Sequence, residues 1–247
     1  MERIRSATPI ARDVQGLFNR KAASWQSKYG PNGKLRARVQ QFIVRLSELS
    51  PPPRKVLDFG CGTGDIAAAI GRIGYQVTAC DVAEKMLEVA RATHAGTAVE
   101  WVDLEPDRVI LPFEDGSFDA AVASSVFEYL DDVPQVAKEL SRVLRPQGIL
   151  LLTVPNPFNL VRRIEGLLQA TVSKRPLPSV LDKLRRVHSY VAYLRLSRNR
   201  FAGQWWRTVL GTAHFAALAE ADFSDDGWRR QAEARLILLA VKRAPAE

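Results

Sequence analysis

Gly60-Cys61-Gly62-Thr63-Gly64 constrains this chain more than any other stretch. Val56, Leu57 and Phe59 precede it as a short apolar run that suits a buried strand. Ile66, Ala67, Ala69 and Ile70 follow at helical spacing. A strand, a turn of alternating glycines and a helix make the backbone reverse sharply while a ligand comes close, and glycine does both without a Cβ clash. The N–H groups opening the helix then point at whatever occupies the turn. One glycine would serve an ordinary strand-to-helix turn. Three, with Asp58 just before them, point to nucleotide-type binding. The dinucleotide fingerprint places its last glycine one residue later, where this chain has Asp65, so the loop suits an adenosine-bearing ligand better than a pyrophosphate. Asp81, at the end of the apolar run 77–80, stands where a carboxylate accepts from ribose hydroxyls.

Around this loop the pattern alternates. Strands are predicted at 75–80, 98–102, 118–123 and 149–154, with helices over 83–92 and 133–144 and a turn at Arg145-Pro146-Gln147-Gly148. Such alternation gives a parallel sheet with ligands at the carboxyl ends of its strands. Two amphipathic helices, 11–29 and 35–49, come before the sheet. After Pro155-Asn156-Pro157, helices are predicted around Leu160, Ile164, Leu167 and Leu168, and around Val180, Leu184, Val187, Val191 and Leu194. With Phe201, Trp205 and Trp206 they read as an inserted helical cap, since bare loops of that length are rare. A returning helix is predicted over 212–221 and a final strand over 234–242, with a possible partner near Trp228.

Charge is concentrated rather than spread. Between 161 and 207, eleven lysines and arginines stand against Glu165 and Asp182, a surplus of nine in a chain whose whole net charge is +8. A segment of this kind fits an anionic substrate, a phosphorylated carrier, a membrane surface or nucleic acid, or else a solvated helical face. Cys61 and Cys80 form neither a disulfide framework nor a metal-ligand spacing. The first residues carry charge with no apolar run behind them, and the apolar run 149–154 is too short to span a bilayer. A soluble, cytoplasmic protein is therefore expected.

VLDFGCGTGD, ACDVAEKMLEVARA, Asp103-Leu104, LPFEDGSFDAAVASSVFEYL and ELSRVLRPQGILLLTVPNP follow one another in this chain. In that order and spacing the chain resembles the class I S-adenosylmethionine-dependent methyltransferases, from about residue 18 to 154 and weakly near the C-terminus. The resemblance implies an α/β fold with a seven-stranded, mostly parallel Rossmann-like sheet and helices on both faces. It implies an N-terminal helical lid (1–50), a cofactor-binding core (51–156 and 208–247) and a basic helical cap (157–207) inserted after the fifth strand. The implied cofactor is S-adenosyl-L-methionine. Asp58, Gly60, Gly62 and Gly64 would form its loop, and Asp81 with Val82 would take the ribose. Asp103 would accept from the adenine amino group and Leu104 would lie on its face. Ser124 would stand beside the reactive methyl, with Tyr29 and Arg38 of the lid near the methionine carboxylate.

Methyl transfer from a sulfonium is an in-line displacement, so the protein's main tasks are alignment and exclusion of water. A hydroxyl or amine acceptor also needs a base. The candidates are His188, one turn from Leu184 and Val191, and His214, at the start of the predicted returning helix; His94 reads as a surface-turn residue. The stretches 18–38 and 118–130 also resemble ubiquinone-pathway O-methyltransferases. That family's E-x-x-E-H metal cluster falls here on Ser125, Glu128 and Tyr129, so no metal is expected. The N/D-P-P-Y/F motif of amino-directed nucleic-acid methyltransferases has no counterpart after the fourth strand, and Asn156-Pro157-Phe158 follows the fifth. The expected function is methyl transfer to a small-molecule acceptor, most plainly at a hydroxyl, the acceptor being anionic or lipid-linked and the protein touching a membrane peripherally. The competing readings are an RNA or protein methyltransferase that docks through the basic cap, and a non-catalytic binding protein of the same fold.

Overall fold

A computed structural model describes residues 9–29, 35–106, 108, 110–172, 185–222 and 236–245. Its centre is a seven-stranded sheet in the order β3-β2-β1-β4-β5-β7-β6. The first five strands are β1 (Lys55–Phe59), β2 (Gln76–Asp81), β3 (Val99–Asp103), β4 (Phe118–Ala123) and β5 (Leu144–Pro155). They pair in parallel, with Phe59 opposite Cys80, Asp81 opposite Asp103, and Ala123 opposite Leu152. Their carboxyl ends therefore share one rim. The strand order reverses between β1 and β4, which opens a crevice at that rim. β6 (Phe215–Asp222) and β7 (Leu236–Arg243) close the sheet, with β7 antiparallel to both β5 and β6.

Strand alternation sorts the core into two layers. Val56, Ala120, Val122, Ile149 and Leu151 face Phe42 and Leu46 of α2 (Arg36–Leu49) and Ile66 and Ile70 of α3 (Asp65–Arg72). Leu57, Ala121, Leu150 and Leu152 face Leu140 of α5 (Val133–Val143) and Leu210 of α8 (Gly203–Thr212). The lid helix α1 (Pro9–Trp25) lies on α4 (Glu84–Thr93), where Ala22 packs against Ala83 and Met86. The cap comprises α6 (Leu160–Val172) and α7 (Arg185–Leu196), which lie against each other.

The structure corrects the sequence reading at the C-terminal end. The stretch predicted as a helix over 212–221 is mostly strand β6, and its helix lies earlier, at α8. Phe215-Ala-Ala-Leu-Ala-Glu-Ala-Asp lacks β-branched residues, yet it pairs along its length with β7, and that pairing overrides local preference. The proposed strand partner near Trp228 lies outside the described residues, as does the first part of the second cap helix.

The boundary between cap and core also moves. Position 207/208 runs through α8, and Trp206 is fully buried in the main core with Phe127 and Val241. Its ring stands edge-on to Phe127 at 6.1 Å, and its indole N–H donates to the Phe201 carbonyl at 3.1 Å. The core thus resumes near Gly203. β5 likewise begins earlier than predicted, at Leu144, because the Arg145–Gly148 turn is absorbed as an irregularity between Phe118 and Ala120.

Trp206→Ala is expected to destabilise the protein by about 3–5 kcal/mol, the usual cost of emptying a large aromatic site in a core. Chemical denaturation checks this. A loss below about 1 kcal/mol would return Trp206 to the cap.

Candidate functional site

The glycine loop is fixed by what surrounds it. Gly60, Gly62 and Gly64 all have positive φ, at 72°, 56° and 76°. A Cβ on Gly60 would lie 2.4 Å from Val126 Cγ2, and one on Gly64 would lie 2.3 Å from the Trp101 ring. The last glycine therefore lets β3's tryptophan pack under the start of α3. The loop is latched to β2: the Gly60 and Cys61 N–H groups donate to the Cys80 carbonyl at 2.8 and 3.0 Å. Asp81 completes the latch, with Oδ2 accepting from Gly62 N–H and Oδ1 from Ala83 N–H, both at 2.8 Å. A carboxylate offers about four acceptor positions. Two are used by the backbone, which leaves capacity for a diol.

The remaining predicted cofactor residues gather on the same rim. Leu104 N–H donates to the Asp81 carbonyl at 2.9 Å and its side chain is half-buried. Asp103 beside it is exposed and ion-paired to Arg91 of α4. The Val82 carbonyl accepts from Gln15 of α1 at 2.8 Å. Ser124 follows β4, and Arg38 Nη1 reaches across from α2 to donate to Ser125 Oγ at 3.0 Å and Ser124 Oγ at 3.4 Å. Tyr29 lines a cavity of about 680 Å³ with Asp65 and His94, and burial pushes its hydroxyl up to about 12.

Asp58 is buried in β1 just before the loop, and its Oδ2 has no partner among the described residues. Burial, then the neighbouring Asp81 charge, pushes its carboxyl up to about 8, against the pull of the Ala67 N–H.

Of the histidines, His214 stands away from this arrangement, while His94 borders the Tyr29 cavity. His214 lies between α8 and β6, where Phe215 pairs with Arg243, at the rim opposite the glycine loop. Its carbonyl accepts from Ala244 N–H there, so it does not face the crevice. His94 is buried rather than on a surface turn. It stacks on Trp101 at 6.3 Å with Nε2 3.9 Å from Asp65 Oδ1. The backbone of His188 belongs to α7; its side chain lies outside the described ones.

Glu128 has a structural task. It is buried, accepts from Ser197 Oγ at 2.6 Å and pairs with Arg162 at 3.5 Å. Its carbonyl accepts from the Arg198 and Asn199 N–H groups, and Asn199 Nδ2 donates to the Phe127 and Leu130 carbonyls. The cap is stapled to the loop after β4 through these bonds. Among the described residues no three His, Cys, Asp or Glu side chains group as a metal site.

Several contributors were not anticipated. Trp25 lies with its indole nitrogen 3.8 Å from the point a Cβ on Gly62 would occupy, and Lys28 Nζ stands 3.2 Å over its ring. The sequence showed Trp25 only as an apolar helix position. Gln15 and Asn19 bind the start of α4 from the lid, Asn19 Oδ1 accepting from Lys85 N–H at 3.1 Å. Polar residues on a helix face give no periodic signal that could have marked them.

Comparison with known proteins agrees with this geometry. Residues 57–152 match the family described as a methyltransferase domain. The chain is 32% identical over 194 residues to a ubiquinone biosynthesis O-methyltransferase of Xanthomonas campestris pv. campestris, covering 76% of this chain and 75% of that protein. It is 37% identical over 123 residues to a demethylmenaquinone methyltransferase of Thermus thermophilus, covering 47% of this chain and 56% of that one. Among solved structures, magnesium protoporphyrin IX methyltransferase from Synechocystis has the same fold, with a TM-score of 0.67 at 16% identity over 94% of this chain and 98% of that one. Several other curated relatives are spanned over only 28% to 57% of their length. The chain belongs to the class I S-adenosylmethionine-dependent methyltransferases.

The residues fit that family's cofactor. Asp81 keeps free acceptor capacity at the tip of β2, and Asp58 holds a buried oxygen without a donor. A carboxyl raised in the folded state favours the fold at acid pH, and that contribution is lost as pH rises from the ordinary carboxyl range through about 8. Asp58→Asn is therefore expected to flatten the fall in apoprotein melting temperature between about pH 4 and 8. A calorimetric melt series in which both proteins show the same slope would remove Asp58 as the source.

Proposed function

We propose that this protein transfers the methyl group of S-adenosylmethionine to a hydroxyl of a small-molecule biosynthetic intermediate. The observation that carries the reading is the Asp81 latch, which sets the glycine loop and an acceptor-rich carboxylate side by side at the β1/β4 crevice. The extended match to a ubiquinone biosynthesis O-methyltransferase supports oxygen as the methylated atom. When bound, the cofactor supplies a sulfonium-activated methyl group that needs no further activation from the protein.

The chain's own residues then align and shield. Gly60, Gly62 and Gly64 admit the cofactor, Asp81 takes the ribose, Asp103 and Leu104 take the adenine, and Trp25 covers Gly62 from the lid. Arg38 and Tyr29 offer donors to the methionine carboxylate, and Arg38 fixes the Ser124-Ser125 end of β4 where the methyl would lie. Water exclusion falls to α1 and the cap, whose aromatic rings meet over the crevice. Phe18 stands edge-on to Tyr129 at 5.2 Å, and Tyr129 meets Tyr193 at 6.5 Å.

The same mouth favours an anionic, aromatic acceptor. Lys21 Nζ lies 5.9 Å from the Phe18 ring and 5.8 Å from the Tyr193 ring. Burial, followed by repulsion from Lys21 and Arg38, holds Lys28 down at about 8. An anion entering here would relieve that repulsion. Glu128 is committed to Ser197 and Arg162, and His214 is on the far rim. We infer that His188, the first base candidate in the sequence, takes the hydroxyl's proton.

Titration calorimetry with S-adenosylhomocysteine tests the cofactor half. Asp81→Ala is expected to weaken binding about 10- to 100-fold, the worth of hydrogen bonds to a charged group. Unchanged affinity would show the ribose to be elsewhere. Once an acceptor is in hand, His188→Gln should lower kcat with KM for the cofactor unchanged. An unaltered pH profile would place the base on another residue.

A further inference from the structure

The chain leaves β4 through a residue in an unusual backbone state. Among the described residues, three besides glycine have positive φ: Ser125 at 58°, Gln147 at 68° and His214 at 63°. Gln147 belongs to the irregular start of β5, and His214 to the connection between α8 and β6 on the rim opposite the glycine loop. Ser125 alone of the three stands at the carboxyl-end rim, directly after Ser124. The left-handed region crowds any side chain with a Cβ, and serine lacks the tolerance that glycine has and asparagine approaches. A residue kept there is kept by its surroundings, and such positions gather at functional sites.

Those surroundings are specific. Ser125 N–H donates to Thr153 Oγ1 of β5 at 2.8 Å. Thr153 is fully buried between Leu152 and Val154, and its hydroxyl oxygen is what holds the turn from below. The next residue, Val126, is set against Gly60 of the glycine loop. The Ser125 hydroxyl faces α2, where Arg38 Nη1 donates to its Oγ at 3.0 Å and to Ser124 Oγ at 3.4 Å. One left-handed residue thus joins β5, the glycine loop and α2.

Arg38 is the partner that gives the arrangement a purpose. Burial lowers its pKa, with Tyr29 and Glu128 offsetting part of that and Arg162 adding to it. A cation taken from water in this way gains from an anion alongside. A guanidinium recognises a carboxylate through a planar fork, so recognition depends on where that plane is aimed. The side chain that carries it is long and has many rotamers. Ser125 supplies a fixed oxygen at its far end.

We propose that Ser125 is a positioning residue, whose left-handed backbone presents the hydroxyl that aims Arg38 at the carboxylate of the cofactor's methionine tail. The inference rests on the reading that Arg38 serves that carboxylate. It gives Ser125 a task through Arg38 rather than through contact with the cofactor.

Titration calorimetry with two probes tests it. S-adenosylhomocysteine carries the amino-acid tail; methylthioadenosine carries the same nucleoside and sulfur without it. Neither requires the methyl acceptor. Arg38→Gln is expected to weaken S-adenosylhomocysteine binding about 10- to 100-fold and to leave methylthioadenosine within about twofold. Ser125→Gly keeps the backbone state and removes the hydroxyl. It should cost S-adenosylhomocysteine about 5- to 10-fold, again without effect on methylthioadenosine. Ser125→Asn, which accepts the left-handed state and returns an oxygen acceptor, should restore most of the loss. The double variant Ser125→Gly with Arg38→Gln should bind no more weakly than Arg38→Gln alone, because the two act as one unit. If Arg38→Gln affects both probes equally or neither, the reading of Arg38 fails and the inference falls with it. If Arg38→Gln is selective for the tailed probe, the inference alone is overturned by any of three results. These are a Ser125→Gly variant with unchanged affinity, one that weakens both probes alike as a merely structural residue would, and losses that add in the double variant.

Discussion

One carboxylate holds the working end of this molecule together. Asp81 ends β2 and accepts from Gly62 on one oxygen and Ala83 on the other, so it joins the glycine loop to the start of α4. Through Ala83 it also braces the lid, because Ala22 of α1 packs on Ala83 and Met86. Gln15 and Asn19 then attach the lid to the same corner. A ligand that adds its own donors to Asp81 would therefore feel the loop, the helix start and the lid at once. The geometry is pre-organised, since the carboxylate's position is fixed by backbone before any ligand arrives.

The loop, its acid and the parallel half of the sheet were legible in the sequence because each is encoded locally. Three glycines with positive φ cannot be replaced without strain, and Val56-Leu57, Val77 and Leu150–Leu152 are apolar enough to declare buried strands. β6 was not legible. Phe215–Asp222 has the composition of a helix, and only the free edge of β7 makes it a strand. Trp206 was misplaced for a related reason: a tryptophan within a basic segment reads as surface, whereas its partner Phe127 is 79 positions earlier and invisible locally. His94 was misread because a helix end looks exposed in sequence, while Trp101 closes over it in space.

α6 shows the same limit from the other direction. Its apolar spacing announced an amphipathic helix, but periodicity does not say which face turns inward. That was decided by Glu128 and Arg200, residues from distant segments that capture Arg162 and Glu165. Buried ion pairs are expensive to desolvate and add little net stability against a well-packed apolar alternative. Their retention here orients a helix rather than strengthening a core.

The order of strands carries a consequence for how the chain is made. β7 lies between β5 and β6, so it is synthesised after both of the neighbours it joins. Until Leu236–Arg243 leave the ribosome, β5 presents a bare edge of Leu150, Leu152 and Val154, and β6 has nothing to pair with. Exposed apolar edges of that kind recruit other chains. The nascent chain is thus most vulnerable between the synthesis of β6 and that of β7, and chaperone dependence should be concentrated in that interval of translation.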